Sequence, residues 1–167
     1  MIGVMGAGRP TPHALENARR FGRLAAKAGW IVLTGGRPAG VMDAASEGAR
    51  SVPGSLTIGI LPTGPDGPVS AHVDVAIFTA MGDARNAINV LSSDVVVACG
   101  AEGAGTASEV ALALKTGRPL VLLDAAAPAL GFFRSIARPG CLHEAETPEA
   151  AIALIEGRLG VPRWATA

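Results

Sequence analysis

The sequence predicts one Rossmann-like α/β domain over residues 1–167, doubly wound around a mostly parallel sheet. Short apolar runs, continuous rather than alternating, are typical of strands covered on both faces. Segments with helical periodicity lie between these runs, and such alternation is typical of a parallel sheet. A chain of 167 residues that is 49% hydrophobic and 17% charged is also long enough to bury one sizeable core.

The same patterns place the individual elements. Apolar, β-branched runs predict strands at Ile2–Met5, Trp30–Leu33, Thr57–Leu61, Val75–Phe78, Val95–Cys99 and Leu120–Leu123. Helical periodicity predicts helices at Pro12–Ala28, Val41–Arg50, Ala84–Ser92 and Thr106–Lys115. A last helix is expected after Thr147, because a threonine N-cap is followed by Pro148 and Glu149. The long loop LPTGPDGPVSAH is a candidate flap over a binding site.

Composition excludes several classes of function. With 14 basic and 14 acidic residues the formal charge is zero, and the chain has no tyrosine, so a nucleic-acid-binding face is not expected. No apolar run approaches the length of a membrane span, and no signal peptide is evident, so we expect a cytoplasmic protein. Cys99 and Cys141 are expected to be structural; Cys141 and His143 have a metal-ligand spacing, but nothing nearby completes a metal site.

Glycine-rich polar segments follow the predicted strands, at the edge where doubly wound folds bind ligands. Glycines let a ligand approach the backbone, and helix N-termini favour anions. These segments predict binding residues after the first strand (Gly6, Gly8, Arg9), after the second (Thr34, Gly35, Gly36, Arg37, Gly40, Val41, Met42), before the third helix (Asp83, Arg85, Asn86) and after the fifth strand (Gly103, Ala104, Gly105, Thr106, Glu109).

The first glycine-rich segment does not fit a dinucleotide site. Gly6 and Gly8 match the start of a GxGxxG motif, but Thr11 stands at the third glycine. The acidic residue expected after the second strand is also missing. The segment therefore predicts either a tight strand-to-helix turn or a contact with another kind of ligand, and not NAD or FAD.

Two charged residues allow more than one interpretation. Thr106 and Glu109 have the spacing of a capping box, so we expect Glu109 mainly to cap a helix while Gly105 and Thr106 contact an anion. A cation near a helix start opposes the helix dipole, so Arg85 is expected to face an anionic ligand or to pair with Asp83 or Glu109.

Together these segments resemble the molybdenum cofactor carrier proteins, which are similar in turn to the lonely-guy, lysine-decarboxylase-like phosphoribohydrolases. The resemblance runs from Ile2 to about Phe133 and rests on GVMGAG, GWIVLTGGRPAGVMDAASEGA, TIGILP, ARNAINVLSSDVVVACG and GTASEVALALKTGRPLVLL. It implies a Rossmann-like homo-oligomer that binds molybdenum cofactor (molybdopterin), an anionic phosphorylated pterin, without turnover and delivers it to molybdoenzymes. No loop aromatic is available to stack on the pterin, and no protein ligand for molybdenum is evident.

The enzyme branch remains the alternative. Its PGGxGTxxE motif is matched here by Gly103, Gly105, Thr106 and Glu109, while Ala101 and Glu102 replace the opening Pro-Gly. In that interpretation the protein is a nucleotide 5′-monophosphate phosphoribohydrolase that releases a free base. Arg85 and Glu109 would then be its catalytic pair. A nucleotide-sensing domain without activity is a third possibility.

The helical segments SEVALAL and NAINVL are apolar or small on nearly every side. A helix that is apolar all round needs cover on both sides, and one domain of this size supplies a sheet on only one. The sequence therefore predicts a homo-oligomer, either a dimer or a tetramer.

Overall fold

The computed structural model describes residues 1–101 and 103–159. Helices and strands alternate along these residues. The strands are β1 (Ile2–Gly6), β2 (Val32–Thr34), β3 (Thr57–Leu61), β4 (Val75–Phe78), β5 (Val95–Cys99), β6 (Leu120–Leu123) and β7 (Leu142–Ala145). The helices are α1 (Pro12–Lys27), α2 (Gly40–Arg50), α3 (Asn86–Leu91), α4 (Ala104–Thr116), α5 (Ala127–Ile136) and α6 (Pro148–Leu154).

The strands form one parallel sheet in the order β4-β3-β2-β1-β5-β6-β7. Strands are added outward from β1 to β4 on one side and from β5 to β7 on the other, so the strand order reverses between β1 and β5 while all strands remain parallel. Gly6 at the end of β1 pairs in register with Cys99 at the end of β5. The predicted doubly wound α/β fold is confirmed, and the crevice expected in such a fold lies beyond these two residues.

Helices cover both faces of the sheet. On one face α1, α2 and α6 pack on side chains such as Ile2, Val97 and Val121. On the other face α3, α4 and α5 pack on side chains such as Met5, Val96 and Leu122. Neighbouring residues of a strand therefore serve opposite cores, which explains why these strands are continuously apolar.

The observed elements differ from the predicted ones mainly near their ends. Strand β2 begins at Val32 rather than Trp30. A 3-10 turn at Gly82–Arg85 precedes α3, where a continuous helix from Ala84 was predicted. The start of α6 is confirmed, since Thr147 Oγ1 accepts a hydrogen bond from the Ala150 amide at 3.2 Å. No helix within the described ranges is long and apolar enough to cross a membrane.

The sequence did not predict two of the elements, α5 and β7. Helix α5 lies on the surface, with Phe133 as its one buried residue. Strand β7 is an edge strand that reads LHEA and carries two polar side chains. Neither segment has the continuous apolar run by which the inner strands were found.

Candidate functional site

A cavity of about 210 Å³ opens at the carboxyl edge of the sheet, next to the ends of β1 and β5. Its position agrees with the rule that α/β sheets bind ligands where the strand order reverses. The residues that line it come from strand β1, from the loops and the 3-10 turn at this edge of the sheet, and from the N-terminal parts of α2, α3 and α4. They are Val4, Met5, Gly6, Ala7, Gly8, Gly35, Arg37, Met42, Asp83, Arg85, Asn86, Gly103, Gly105, Thr106 and Glu109.

Most of the predicted binding residues meet at this cavity. Those that line it are Gly6, Gly8, Gly35, Arg37, Met42, Asp83, Arg85, Asn86, Gly103, Gly105, Thr106 and Glu109. Those that do not are Arg9, Thr34, Gly36, Gly40, Val41 and Ala104. Val4, Met5 and Ala7 also line the cavity and were not predicted. Val4 and Met5 belong to a buried apolar strand, and nothing in the sequence distinguishes Ala7 from its neighbours in the glycine-rich segment.

Several of the predicted residues outside the lining shape the loops instead. The Thr34 hydroxyl accepts a hydrogen bond from the Gly36 amide at 3.1 Å. Gly40 has a φ of +57°, and a Cβ there would lie 2.2 Å from the Ala7 carbonyl oxygen. The Val41 amide donates to that same oxygen at 3.1 Å. Glycine at position 40 therefore lets the start of α2 close against the loop that follows β1.

Two groups of the lining residues differ in their exposure to solvent. We call the buried residues Met5, Gly35, Met42, Arg85 and Glu109 the floor. We call the exposed or half-buried residues Gly8, Arg37, Asp83, Gly103 and Gly105 the rim. Each part carries one arginine and one acidic residue, but in different dielectric surroundings.

At the floor, an arginine and a glutamate face each other with little exposure to solvent. Arg85 is 6% exposed and Glu109 is 7% exposed. Arg85 Nη1 lies 3.8 Å from Glu109 Oε1, and the Asn89 side-chain amide donates to the same oxygen at 3.0 Å. Arg85 Nε and Asn89 Oδ1 have no hydrogen-bond partner among the described residues. Buried polar atoms are rarely left in this state, so the floor retains hydrogen-bonding capacity.

Burial perturbs both ionisable groups of the floor. It raises the pKa of the Glu109 carboxyl, against the opposing effects of the Asn89 hydrogen bond and the Arg85 charge. It also lowers the pKa of the Arg85 guanidinium, which the charge of Glu109 partly offsets. Perturbed groups that meet in a cleft are typical of binding and catalytic sites.

Gly35 makes room for the arginine. A Cβ at this position would lie 2.5 Å from Arg85 Nη1 and 2.7 Å from Met42 Sδ. The absence of a side chain therefore lets the guanidinium lie against the β2 loop, beside the methionine thioether. This requirement is one of space and not of backbone conformation, since no positive φ is found at Gly35.

The predicted capping role of Glu109 is wrong. Helix α4 begins at Ala104 with Gly103 as N-cap, and no side chain among the described residues makes a capping hydrogen bond. Gly103 has a φ of +86°, a conformation that glycine adopts readily, and this turn starts the helix ahead of Thr106. Glu109 consequently lies in the second turn of α4, and its carboxylate lines the cavity. Of the predicted pairings of Arg85, the one with Glu109 is present.

The rim offers positive charge and free backbone amides. Arg37 is exposed, and its Nη2 lies 3.6 Å from the position of a Cβ on Gly8. No side chain in residues 1–101 and 103–159 caps α4, so the first amides of that helix are open to a ligand. These amides carry the positive end of the helix dipole. Anionic groups are favoured at such a position.

The candidate flap lies elsewhere. In the β3–β4 connection, Ser70 donates its amide to the Gly36 carbonyl at 2.9 Å and its hydroxyl to Asp43 at 2.5 Å. These bonds hold the loop against α2, and no residue between 62 and 74 lines the cavity. No group of three His, Cys, Asp or Glu side chains in the described part of the chain is arranged to hold a metal ion.

Comparison with known proteins gives a consistent family assignment. The profile of the SLOG cluster4 family matches residues 1–152. An uncharacterized protein of Archaeoglobus fulgidus is 43% identical over 122 residues, which is 73% of this chain and 78% of that protein.

Solved structures are similar over nearly the whole chain. The molybdenum cofactor binding protein of the phototrophic bacterium Rippkaea orientalis is 50% identical, with a TM-score of 0.87 over 93% of this chain and 94% of that one. The molybdenum cofactor carrier protein of Chlamydomonas reinhardtii is 46% identical, with a TM-score of 0.85 over 93% and 95% of the two chains.

Proposed function

This chain belongs to the SLOG cluster4 family, and we propose that it binds, protects and delivers molybdenum cofactor without chemical turnover. The observation that carries the proposal is the cavity between the ends of β1 and β5. It combines a buried arginine with an open helix N-terminus, in a chain 46–50% identical to proteins that bind or carry this cofactor.

The chemistry of the lining suits such a ligand. Molybdenum cofactor carries a terminal phosphate and an oxo-metal dithiolene group on a pterin, so it is anionic at one end and aromatic at the other. Arg37 and the first amides of α4 offer partners for the anionic end. The loops carry no aromatic residue to stack on the pterin, and the thioethers of Met5 and Met42 offer apolar contact in its place.

The size of the cavity limits what it can enclose. Its volume of about 210 Å³ is below the roughly 300–1,000 Å³ that is common for sites enclosing a whole small molecule. We infer that one end of the cofactor enters the cavity and that the other end lies across the rim, where a recipient molybdoenzyme can reach it. The free thiols of Cys99 and Cys141 fit a reducing compartment, and we expect the protein to act in the cytoplasm.

The chain is proposed to form a dimer or tetramer. On α3, Leu91 is 50% exposed, and Met81 just before the 3-10 turn is also 50% exposed. Val75 and Ile77 of the edge strand β4 are each 44% exposed. Exposed apolar side chains in this number favour cover by a second copy. Light scattering at micromolar concentration is expected to report an oligomer, and a monomer would contradict this proposal.

The phosphoribohydrolase alternative keeps one observation in its favour, since Arg85 and Glu109 face each other in the cavity. It predicts that the protein releases free adenine from adenosine 5′-monophosphate, and that Glu109→Gln abolishes the release. We expect negligible release by the wild-type protein. Base release that depends on Glu109 would replace the carrier function with an enzymatic one.

The test of the proposed function is identification of the native ligand. The protein is purified from cells that make molybdenum cofactor, and the bound molecule is analysed for pterin by mass spectrometry and for molybdenum by elemental analysis. We expect a phosphorylated pterin that restores activity to a cofactor-free molybdoenzyme. A purine nucleotide, or no ligand even after incubation with the cofactor, would overturn the proposal.

A further inference from the structure

A buried carboxylate is an unexpected component of a site for an anionic ligand. Glu109 is 7% exposed and lines the cavity. Its Oε1 accepts the hydrogen bond from Asn89, while no hydrogen bond from the described residues reaches Oε2. Removing a carboxylate from water is costly unless its oxygens accept hydrogen bonds. Oε2 is not among the fully buried polar atoms that lack a partner, so it faces the open cavity, where a ligand that donates hydrogen bonds can bind it.

The arginine beside it does not fill this role. Arg85 Nη1 is 3.8 Å from Glu109 Oε1, a distance that allows charge attraction and exceeds that of a hydrogen bond. The guanidinium stands off from the carboxylate, so the pair is not a closed bidentate contact. Glu109 consequently keeps acceptor capacity towards the cavity.

We propose that Glu109 recognises the pyrimidinone edge of a pterin, accepting hydrogen bonds from its ring N3–H and its 2-amino group. This proposal rests on the proposed function and deepens it, by assigning the direction in which the ligand enters. A pterin presents these two donors side by side, in the same way as a guanidinium presents two N–H groups to a carboxylate. Glu109 is thus a specificity residue for the aromatic end of the ligand.

The remaining lining agrees with this orientation. Met5 and Met42 are buried at the floor, and thioethers make favourable contacts with aromatic rings. With the pyrimidinone edge at Glu109, the phosphate-bearing end of the ligand faces the rim. There it meets Arg37 and the uncapped N-terminus of α4, which favour negative charge.

The experiment compares two small ring systems that differ at the proposed contact. Pterin carries a 2-amino donor, whereas lumazine carries a 2-oxo acceptor that would oppose a carboxylate. Dissociation constants for both are measured by fluorescence on the purified full-length protein. We expect the wild-type protein to prefer pterin by about tenfold or more, the effect of hydrogen bonds to a charged group.

Two variants test whether the preference for pterin over lumazine depends on Glu109. Glu109→Gln is expected to reduce the preference for pterin to about twofold or less, because its amide group offers only one acceptor and adds donors. Glu47→Gln is the matched control, since Glu47 also pairs with an arginine but lies outside the cavity. We expect it to keep the wild-type preference. Inorganic pyrophosphate, which lacks the ring, is expected to bind wild-type and Glu109→Gln protein with similar affinity.

The outcomes separate this inference from the proposed function. A wild-type protein that binds neither ring, or binds both equally, overturns the assignment of Glu109, as does a folded Glu109→Gln protein that keeps the preference. The wild-type comparison stands even where Glu109→Gln fails to fold. Retention of molybdenum cofactor by the wild-type protein is measured separately, and its loss would overturn the carrier function itself.

Discussion

The floor and the rim of the cavity carry the same kinds of charge with different consequences. Arg85 and Glu109 at the floor are 6% and 7% exposed, whereas Arg37 and Asp83 at the rim are exposed to solvent. Charges in low-dielectric surroundings interact strongly and depend on each other, while exposed charges are screened by water and salt. The floor therefore suits orientation and selection of a ligand, and the rim suits attraction of its anionic end.

The largest difference is expected when each arginine is replaced by an apolar residue of similar length. Arg85→Met removes the counter-charge of the buried Glu109, and loss of one partner of a buried pair costs about 3 kcal/mol of the free energy of unfolding. Arg37→Met is expected to change that free energy by about 0.5 kcal/mol or less, as is usual for exposed positions. Urea unfolding of both variants makes the comparison.

If Arg85→Met and Arg37→Met lose the same free energy of unfolding, the charges of the floor and of the rim do not differ in their contribution to stability. The Arg85→Met loss is also expected to shrink when Glu109 is replaced by Gln in the same chain, because no unpaired buried charge then remains. A double variant as unstable as Arg85→Met alone would assign the loss to packing of the arginine side chain.

A smaller effect is expected from adding one methyl group to the floor. In Gly35→Ala the new Cβ would lie 2.5 Å from Arg85 Nη1, so the guanidinium has to move. We expect cofactor affinity to fall about tenfold, since a shifted charge no longer meets the ligand in the same geometry. Gly131→Ala on α5 is the control, because its Cβ would meet nothing within 4 Å. If Gly35→Ala binds the cofactor with unchanged affinity, the position of the Arg85 guanidinium does not contribute to binding.

The smallest effect is a change in how stability depends on pH. Burial raises the pKa of Glu109 in the folded protein above the ordinary glutamate value of 4.5. Above that value the folded state binds more protons than the unfolded state, so this group lowers stability as pH rises through the interval between the two pKa values. Asn89, Arg85, Arg37 and Asp83 are the neighbours that modulate this ionisation.

Glu109→Gln removes the titrating group and therefore this dependence. Unfolding free energies measured from about pH 4 to about pH 8 are expected to fall more in the wild-type protein than in the variant. Parallel curves for wild-type and Glu109→Gln would show that the carboxyl titrates as it does in the unfolded chain.

The sequence predicted residues of both the rim and the floor, and it missed the features that have no local signal. Glycines and an arginine in loops after apolar strands are local signals, and they led to Gly8, Arg37, Gly103 and Gly105. The inner strands were found in the same way, because burial on both faces leaves a continuous apolar run. Surface helix α5 and edge strand β7 lack that signal and were missed.

Gly35, Met42, Arg85 and Glu109 of the floor were also predicted as binding residues, but the role of Glu109 depends on contacts that no local pattern contains. Glu109 receives its hydrogen bond from Asn89, which is 20 residues distant in the chain. The spacing of Thr106 and Glu109 matches a capping box only for a helix that begins at Thr106. The positive φ at Gly103 moves the start to Ala104, so Glu109, which was predicted both to cap the helix and to line the site, only lines the cavity.

The most direct test of the central claim replaces a rim glycine by a branched residue and measures cofactor retention. A Cβ on Gly105 meets nothing within 4 Å, so Gly105→Val is expected to fold like the wild-type protein while it fills the space above the N-terminus of α4. Both proteins are loaded with molybdenum cofactor and passed through gel filtration, with thermal unfolding as the control for folding. We predict that the wild-type protein retains the cofactor and that the folded variant loses most of it. Equal retention by the two would contradict the claim that this cavity holds the cofactor.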